Sequence, residues 1–305
     1  MSIELFSPRE IEALRVVCRM AAETLMLAGE QLRAGMTTED INTIVHEDTL
    51  RRGAKPAPLN YHGFPKSVCT SVNEVVCHGI PGPQVLKNGD IVNVDVTHIY
   101  NGWFGDTSAT FFIGEVSDEA RKVTEIARRA LEIGISVVRE NARLGDIGAA
   151  IQEYVEGQGC SVVRDFVGHG IGRKFHQAPS VAHYGKRGDG TRLKAGMVFT
   201  IEPMVNVGDY RVDVMGDKWT VLTRDRKLSA QFEHQIVVTK DGCEVLTKRP
   251  GPLVHSEVAP SGLALPRAPA LPPLTPPPRR PPRGPRPRQP FSRKKALYCG
   301  SLYFS

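Results

Sequence analysis

Four acidic side chains fall within stretches that otherwise read as buried strands. Asp95 and Asp106 lie in IVNVDVTHIYNGWFGDTSATFFIG, two strand-like runs joined by Asn101-Gly102, a pair suited to the left-handed backbone of a tight hairpin turn. Counting outward from that turn pairs Tyr100 with Trp103, Asp95 with Ser108 and Thr97 with Asp106. Asp95 and Asp106 then share one face as diagonal neighbours, roughly 7–8 Å apart at the backbone, so both carboxylates can reach one ion. Glu202 follows the apolar run VFTI and precedes a proline that holds it extended, and Glu233 lies in QFEHQIVV. Like charges in buried strands repel and are expensive to desolvate unless something positive compensates, and the hairpin contains no Lys or Arg. Partners elsewhere in the fold, or exposure on a sheet edge, are the ordinary ways to satisfy such groups. Four on apolar strands point instead to a bound cation. His169, inside GHGIG, adds one imidazole where glycines let the backbone approach a neighbour closely. An oxygen-rich set with a single imidazole argues against structural zinc and suits Mn²⁺, Fe²⁺ or Co²⁺, two ions sharing bridging carboxylates.

The elements that must carry these residues can be read from capping and periodicity. Ser7-Pro8-Arg9-Glu10 offers an N-cap, a proline at the first helical position and a glutamate at the third. Ile11, Leu14, Val17, Ala21 and Leu25 continue at helical spacing, with Gly35 as a stop. A shorter helix is expected over 38–52. The same order returns with a helix over 117–141, capped by Ser117, and a shorter one opened by Asp146 and ending near Gly157. Each helix pair precedes strand-like sequence, and residues 40–44, DINTI, faintly echo 146–151, DIGAAI. The pattern predicts an α+β domain of two related halves.

Composition sets the limits of that domain. Beyond Arg249-Pro250 the chain becomes rich in proline and arginine, with too little apolar sequence to offset its ordering entropy. A catalytic domain is therefore expected over 1–250 and a disordered Pro/Arg-rich tail with polyproline II character over 251–305. The tail carries Arg267, Arg279, Arg280, Arg283, Arg286, Arg288, Arg293, Lys294 and Lys295 against Glu257 alone, more than the whole chain's net +6. The first 250 residues are thus slightly acidic, and the basic isoelectric point implies no specific DNA binding by the domain. No apolar run is long enough to span a bilayer, the N-terminus lacks a secretory pattern, and the six cysteines are scattered. A cytoplasmic protein with reduced thiols, monomeric and without membrane contact, is the expectation.

The order Asp95, Asp106, His169, Glu202, Glu233 resembles the metal set of the pita-bread enzymes, which include methionine aminopeptidases, aminopeptidases P and prolidases. Three motifs narrow the likeness: residues 166–176, FVGHGIGRKFH, continuing to VAHY at 181–184; residues 61–69, YHGFPKSVC; and residues 73–81, NEVVCHGIP. These resemble the signatures of the type 1 methionine aminopeptidases, over essentially all of residues 1–250. The resemblance implies the creatinase/aminopeptidase-like pita-bread fold, with two pseudo-symmetric halves, each a helix pair plus strands, around a curved antiparallel sheet. It implies that Asp95 chelates one metal, that Asp106 and Glu233 bridge both, and that His169 and Glu202 complete the other. The metals would share a water and lower its pKa, with Glu202 as proton acceptor. His176 would hydrogen-bond the scissile carbonyl oxygen as it gains charge, and His78 would contact the substrate beside the leaving amide.

By the same resemblance Tyr61, Phe64, Cys69, Phe175, Met204 and Trp219 line the pocket for a methionine side chain, a polarizable thioether suited to aromatic and sulfur walls. Phe64 and Pro58 depart from residues common in the family, tyrosine and cysteine, and bear on pocket shape more than on chemistry. The implied substrate is the N-terminal methionine of peptides and nascent chains, with a small second residue preferred. A proline-directed peptidase of the same superfamily is the near rival, opposed by the short chain and the Cys69 and Cys77-His78 motifs. A scaffold that keeps the fold for partner or RNA binding is the distant one, opposed by retention of all five ligands. The basic tail suggests transient, salt-dependent ribosome contact, alongside a solvated tail with no partner or a ligand for SH3-type domains.

Overall fold

The structure, a computed structural model, describes residues 3–251 and the short strand Leu297–Tyr298. All of the elements below belong to one compact unit formed by Met1–Glu257 and Ala296–Ser305. The tail expected to be disordered lies outside the described residues, apart from Gly251 and that strand.

Helix α1, Pro8–Gln31, begins as its sequence predicts: the Glu10 carboxylate accepts hydrogen bonds from the Ser7 backbone N–H at 2.9 Å and its hydroxyl at 2.7 Å. Helix α2, Thr38–Arg51, carries the same device between Thr37 and Asp40. Helix α3, Asp118–Ser136, is capped by Ser117 but stops five residues short of the expected 141, where Val137 and Val138 tuck into the core. Helix α4, Leu144–Gly157, starts two residues before Asp146, which is its third residue and accepts a hydrogen bond from the Arg143 N–H rather than standing outside the helix as a cap.

The strands form four sheets, antiparallel except for Leu297–Tyr298, which runs parallel to Phe166–Gly170. In the first half, Ile91–Tyr100 pairs along its whole length with Trp103–Phe112, in the predicted register, through a turn in which Asn101 and Gly102 have φ of 50° and 76°. Its other edge takes Cys69–Val72 and Lys55–Pro56. Helix α1 lies against this hairpin, at Gly105 so tightly that a Cβ would come within 2.7 Å of the Val17 backbone. In the second half, α3 packs on Ser229–Gln231, Met204–Asn206 and Val198–Ile201. The halves therefore repeat a helix pair laid over strands.

The halves meet through backbone and side-chain bonds between the outer hairpin strand and residues 231–235. Thr110 Oγ1 donates to the Gln231 carbonyl, Thr107 Oγ1 to the Glu233 carbonyl, and the Glu233 N–H to the Ser108 carbonyl, all at 2.8–3.0 Å. That seam, buried and hydrogen-bonded, is where the acidic residues gather.

Candidate metal centre

Each candidate ligand reaches the seam on a different element. Asp95 and Asp106 project from the hairpin, and His169 from Phe166–Gly170. The glycines around His169 fit against neighbouring backbone: a Cβ on Gly168 would come within 2.4 Å of the Thr200 carbonyl, and one on Gly170 within 2.1 Å of that of Ala178. Glu202 and Glu233 do not lie inside strands as expected. Both occupy breaks where the chain crosses between two sheets: Glu202 between Val198–Ile201 and Met204–Asn206, Glu233 between Ser229–Gln231 and His234–Val238. Pro203, lacking an N–H, cannot continue the ladder after Glu202, and the Glu233 N–H is engaged by Ser108. Because Ile201 pairs with His234 and Met204 with Gln231, the two breaks face each other.

The result is a buried cluster. His169 Nε2 lies 3.6 Å from Asp106 Oδ2 and 3.6 Å from Glu202 Oε1, and Asp106, His169 and Glu233 offer ligand atoms all within 4.8 Å of one another. All five candidates line one cleft that is partly open to solvent. Burial pushes Asp106 and Glu233 well above the usual carboxylate range, and neighbouring acids, Asp95 for the first and Asp106 for the second, add to it. Burial also raises Asp95 to about 6. It lowers His169 to about 4, so the imidazole is neutral and able to ligate. Asp95 Oδ1 is buried without a hydrogen-bond partner. A charge-poor set of acids, a neutral imidazole and an orphaned carboxylate oxygen fit divalent metal ions bound by oxygen and nitrogen.

The same cleft is lined by Tyr61, Phe64, Cys69, His78, Phe175, His176 and Trp219. Phe64 and Trp219 meet edge to face at 5.2 Å, and Phe175 stacks on His176 at 4.2 Å. Tyr61 Oη lies 2.9 Å from His176 Nδ1. His78 holds its ring in the cleft from a left-handed backbone, φ 56°, costly for a residue with a Cβ. Met204, expected in the pocket, is instead buried in the core beside Cys77 and Phe166, because its strand pairs with Ser229–Gln231 and Ser161–Val162 behind the cleft.

Residues not singled out for a role in the sequence hold the ligands in place. Thr97 Oγ1 donates to Asp106 Oδ1 at 2.7 Å, Thr200 Oγ1 to Glu202 Oε1 at 2.7 Å, and Gln231 Nε2 to Glu202 Oε2 at 3.2 Å. His183 Nε2 accepts from the Glu202 N–H at 3.0 Å, which fixes its ring as a neutral acceptor, and burial lowers it to about 3. Thr97 was legible, since hairpin counting places it directly opposite Asp106, and Thr200 lies two residues before Glu202.

Residues 12–240 match the profile of metallopeptidase family M24. The chain belongs to that family. Within M24 its relatives are the methionine aminopeptidases. Methionine aminopeptidase A of Synechocystis sp. is 53% identical over 247 residues, covering 81% of this chain and 98% of the relative. The crystal structure of methionine aminopeptidase from Rickettsia prowazekii superposes with a TM-score of 0.80 at 50% identity, over 81% of this chain and all of that one. The prolidase of Pyrococcus furiosus, 21% identical with a TM-score of 0.64 over 80% of this chain and 65% of its own, shares the fold. The M24 chain thus has the pita-bread architecture, and no helix among its described residues is long and apolar enough to cross a membrane.

Proposed function

We propose that this chain hydrolyses the peptide bond after an N-terminal methionine, on peptides and nascent proteins with a small second residue, acting as a cytoplasmic monomer. The observation that carries the reading is the gathering of five candidate metal ligands in a cleft that Tyr61, Phe64, Cys69, Phe175 and Trp219 also line. Asp95, Asp106, His169, Glu202 and Glu233 would hold two divalent ions, Mn²⁺, Fe²⁺ or Co²⁺. When bound, such ions supply an acidified water and positive charge for the developing oxyanion.

The chain's own residues do the rest. Tyr61, Phe64, Cys69, Phe175 and Trp219 take the thioether side chain and exclude water from it. Burial, reinforced by His169, keeps His176 well below its ordinary pKa and therefore neutral, with Nδ1 beside the Tyr61 hydroxyl. With the Tyr61 hydroxyl donating to Nδ1, Nε2–H would be the donor to the scissile carbonyl oxygen. Glu202, steadied by Thr200 and Gln231, would accept a proton and pass it to the leaving amine. His78 contacts the substrate beside that amide. The basic tail adds weak, salt-dependent ribosome contact.

The test is hydrolysis of Met-Ala-Ser and Ala-Pro-Ala with Mn²⁺, Fe²⁺ or Co²⁺ added. Release of methionine from the first peptide is expected. Cleavage of the second with none of the first would overturn the reading.

A further inference from the structure

Arg249 sits at the end of the domain, sixteen residues after Glu233, yet its guanidinium reaches the seam that brings Glu233 to Asp106. Nη2 donates to the Ser108 carbonyl at 2.7 Å, to the Glu233 carbonyl at 3.3 Å and to Thr107 Oγ1 at 3.4 Å, while Nη1 lies 3.2 Å from His234 Nε2. Two of these residues, Thr107 and Ser108, directly follow Asp106, and the third is Glu233 itself. The Ser108 carbonyl also receives the Glu233 N–H, and the Glu233 carbonyl also receives Thr107 Oγ1. Arg249 therefore completes a closed set of bonds around the backbone link from the Glu233 N–H to the Ser108 carbonyl, which joins the two ligand-bearing segments, one from each half of the fold. The segment leading to it is itself strapped to the same strand: the Leu246 N–H donates to the Gln235 carbonyl, and the Gln235 N–H to Thr247 Oγ1.

We propose that Arg249 is a positioning residue for the metal centre, holding the Glu233 and Asp106 segments in register so that both carboxylates converge. Its hydrogen bonds from Nη2 end on main-chain oxygens and a hydroxyl, so its action is geometric. Lysine, whose donors all sit on one nitrogen, cannot bridge these oxygens as a planar guanidinium does. This inference rests on the reading that Asp106 and Glu233 ligate metal.

The experiment is calorimetric titration of the metal-free full-length chain with Mn²⁺, comparing Arg249→Lys, Arg249→Gln and Thr107→Val, with Asp106→Asn as reference and circular dichroism as a check on folding. Both Arg249 variants are expected to bind Mn²⁺ about ten-fold more weakly or worse, the range seen when groups supporting metal ligands are lost. Thr107→Val, which keeps the charge and removes the hydroxyl that donates to the Glu233 carbonyl and accepts from Arg249 Nη2, is expected to lose about three-fold. It serves as the deciding variant should either Arg249 variant fail to fold. At saturating Mn²⁺ the KM for Met-Ala-Ser should be unchanged. Unaltered affinity in Arg249→Lys and Thr107→Val overturns the proposal. So does tighter binding in Arg249→Gln, which would mean that the guanidinium acts as a competing charge. If Asp106→Asn also binds Mn²⁺ normally, it is the metal reading that fails.

Discussion

Asp48 and Asp106 are the same residue type, each 3% exposed, one in the first helix pair and one at the seam. Their environments are opposite. Asp48 is clamped by Arg52 Nε at 2.6 Å, by the Thr24 hydroxyl at 2.6 Å and by Arg51, and although burial opposes it these bonds hold its carboxyl below the usual range. Asp106 has one hydroxyl partner and faces Asp95, Glu202 and Glu233, and burial with the Asp95 charge pushes it far up. The first arrangement is finished within the protein, as a structural ion pair is. The second gathers like charges that the protein itself leaves uncompensated, the electrostatic pattern of functional sites that bind metal.

The largest effects should come from removing one oxygen charge at each place. Asp106→Asn is expected to lower peptide hydrolysis about 10³-fold or more, since a metal contributes several kcal/mol of transition-state charge stabilisation. In the presence of a chelator the same variant should be at least as resistant to urea as the parent, because a repelling charge has gone. Asp48→Asn should do the reverse, costing about 2–3 kcal/mol of stability while activity per folded molecule stays unchanged. Urea denaturation with chelator and initial rates with saturating metal, measured on both variants, check the pair. A large stability loss in Asp106→Asn without metal would remove the contrast.

How much of this contrast the sequence discloses depends on the range of the interactions. The hairpin register is local: Asn101-Gly102 sets the turn, and counting from it places Asp95, Asp106 and also Thr97. The first helix is equally local, since Ser7 and Glu10 satisfy each other. Glu202 and Glu233 read as strand residues because flanking apolar runs cannot reveal that the chain changes sheet there. Met204 read as a pocket wall because its facing depends on pairing with residues far along the chain. Arg249 passed as the end of the domain because its oxygens belong to residues 141 and 16 positions earlier. Long-range closure, not composition, gives that arginine its place.

The contrast sharpens at the hydroxyls. Thr24 Oγ1 and Thr97 Oγ1 make equivalent bonds, 2.6 Å to Asp48 Oδ2 and 2.7 Å to Asp106 Oδ1. Thr24→Val should cost about 1–2 kcal/mol in urea denaturation, the usual penalty for removing a hydrogen bond to a buried charge, and leave metal affinity alone. Thr97→Val should instead weaken Mn²⁺ binding about ten-fold in calorimetry, by freeing the carboxylate it orients, with a smaller effect on chelated stability. Equal stability losses in the two variants would mean that Thr97 serves only the core.

The smallest effect, and the most diagnostic of sign, is the response to acid. For Asp48 the folded pKa is depressed, so its stabilisation is present above the unfolded value, near 4, and is lost as pH falls through the folded one. For Asp95, raised to about 6, the native state holds its proton more tightly than the unfolded chain. Its contribution therefore changes the other way: without metal, the stability advantage of the parent over Asp95→Asn should rise as pH falls from about 7 to about 5, by less than about 2 kcal/mol, a difference from which the buried neutral histidines, which destabilise the fold toward acid, cancel. With metal bound, protons compete for the ligands, and stability should fall over the same interval. Thermal melts of the parent and Asp95→Asn across that window, with chelator and with Mn²⁺, should give differences whose slopes with pH are opposite in sign. Parallel slopes would show that the seam carboxylates are satisfied without cations, and Asp106 would join Asp48 as a purely structural acid.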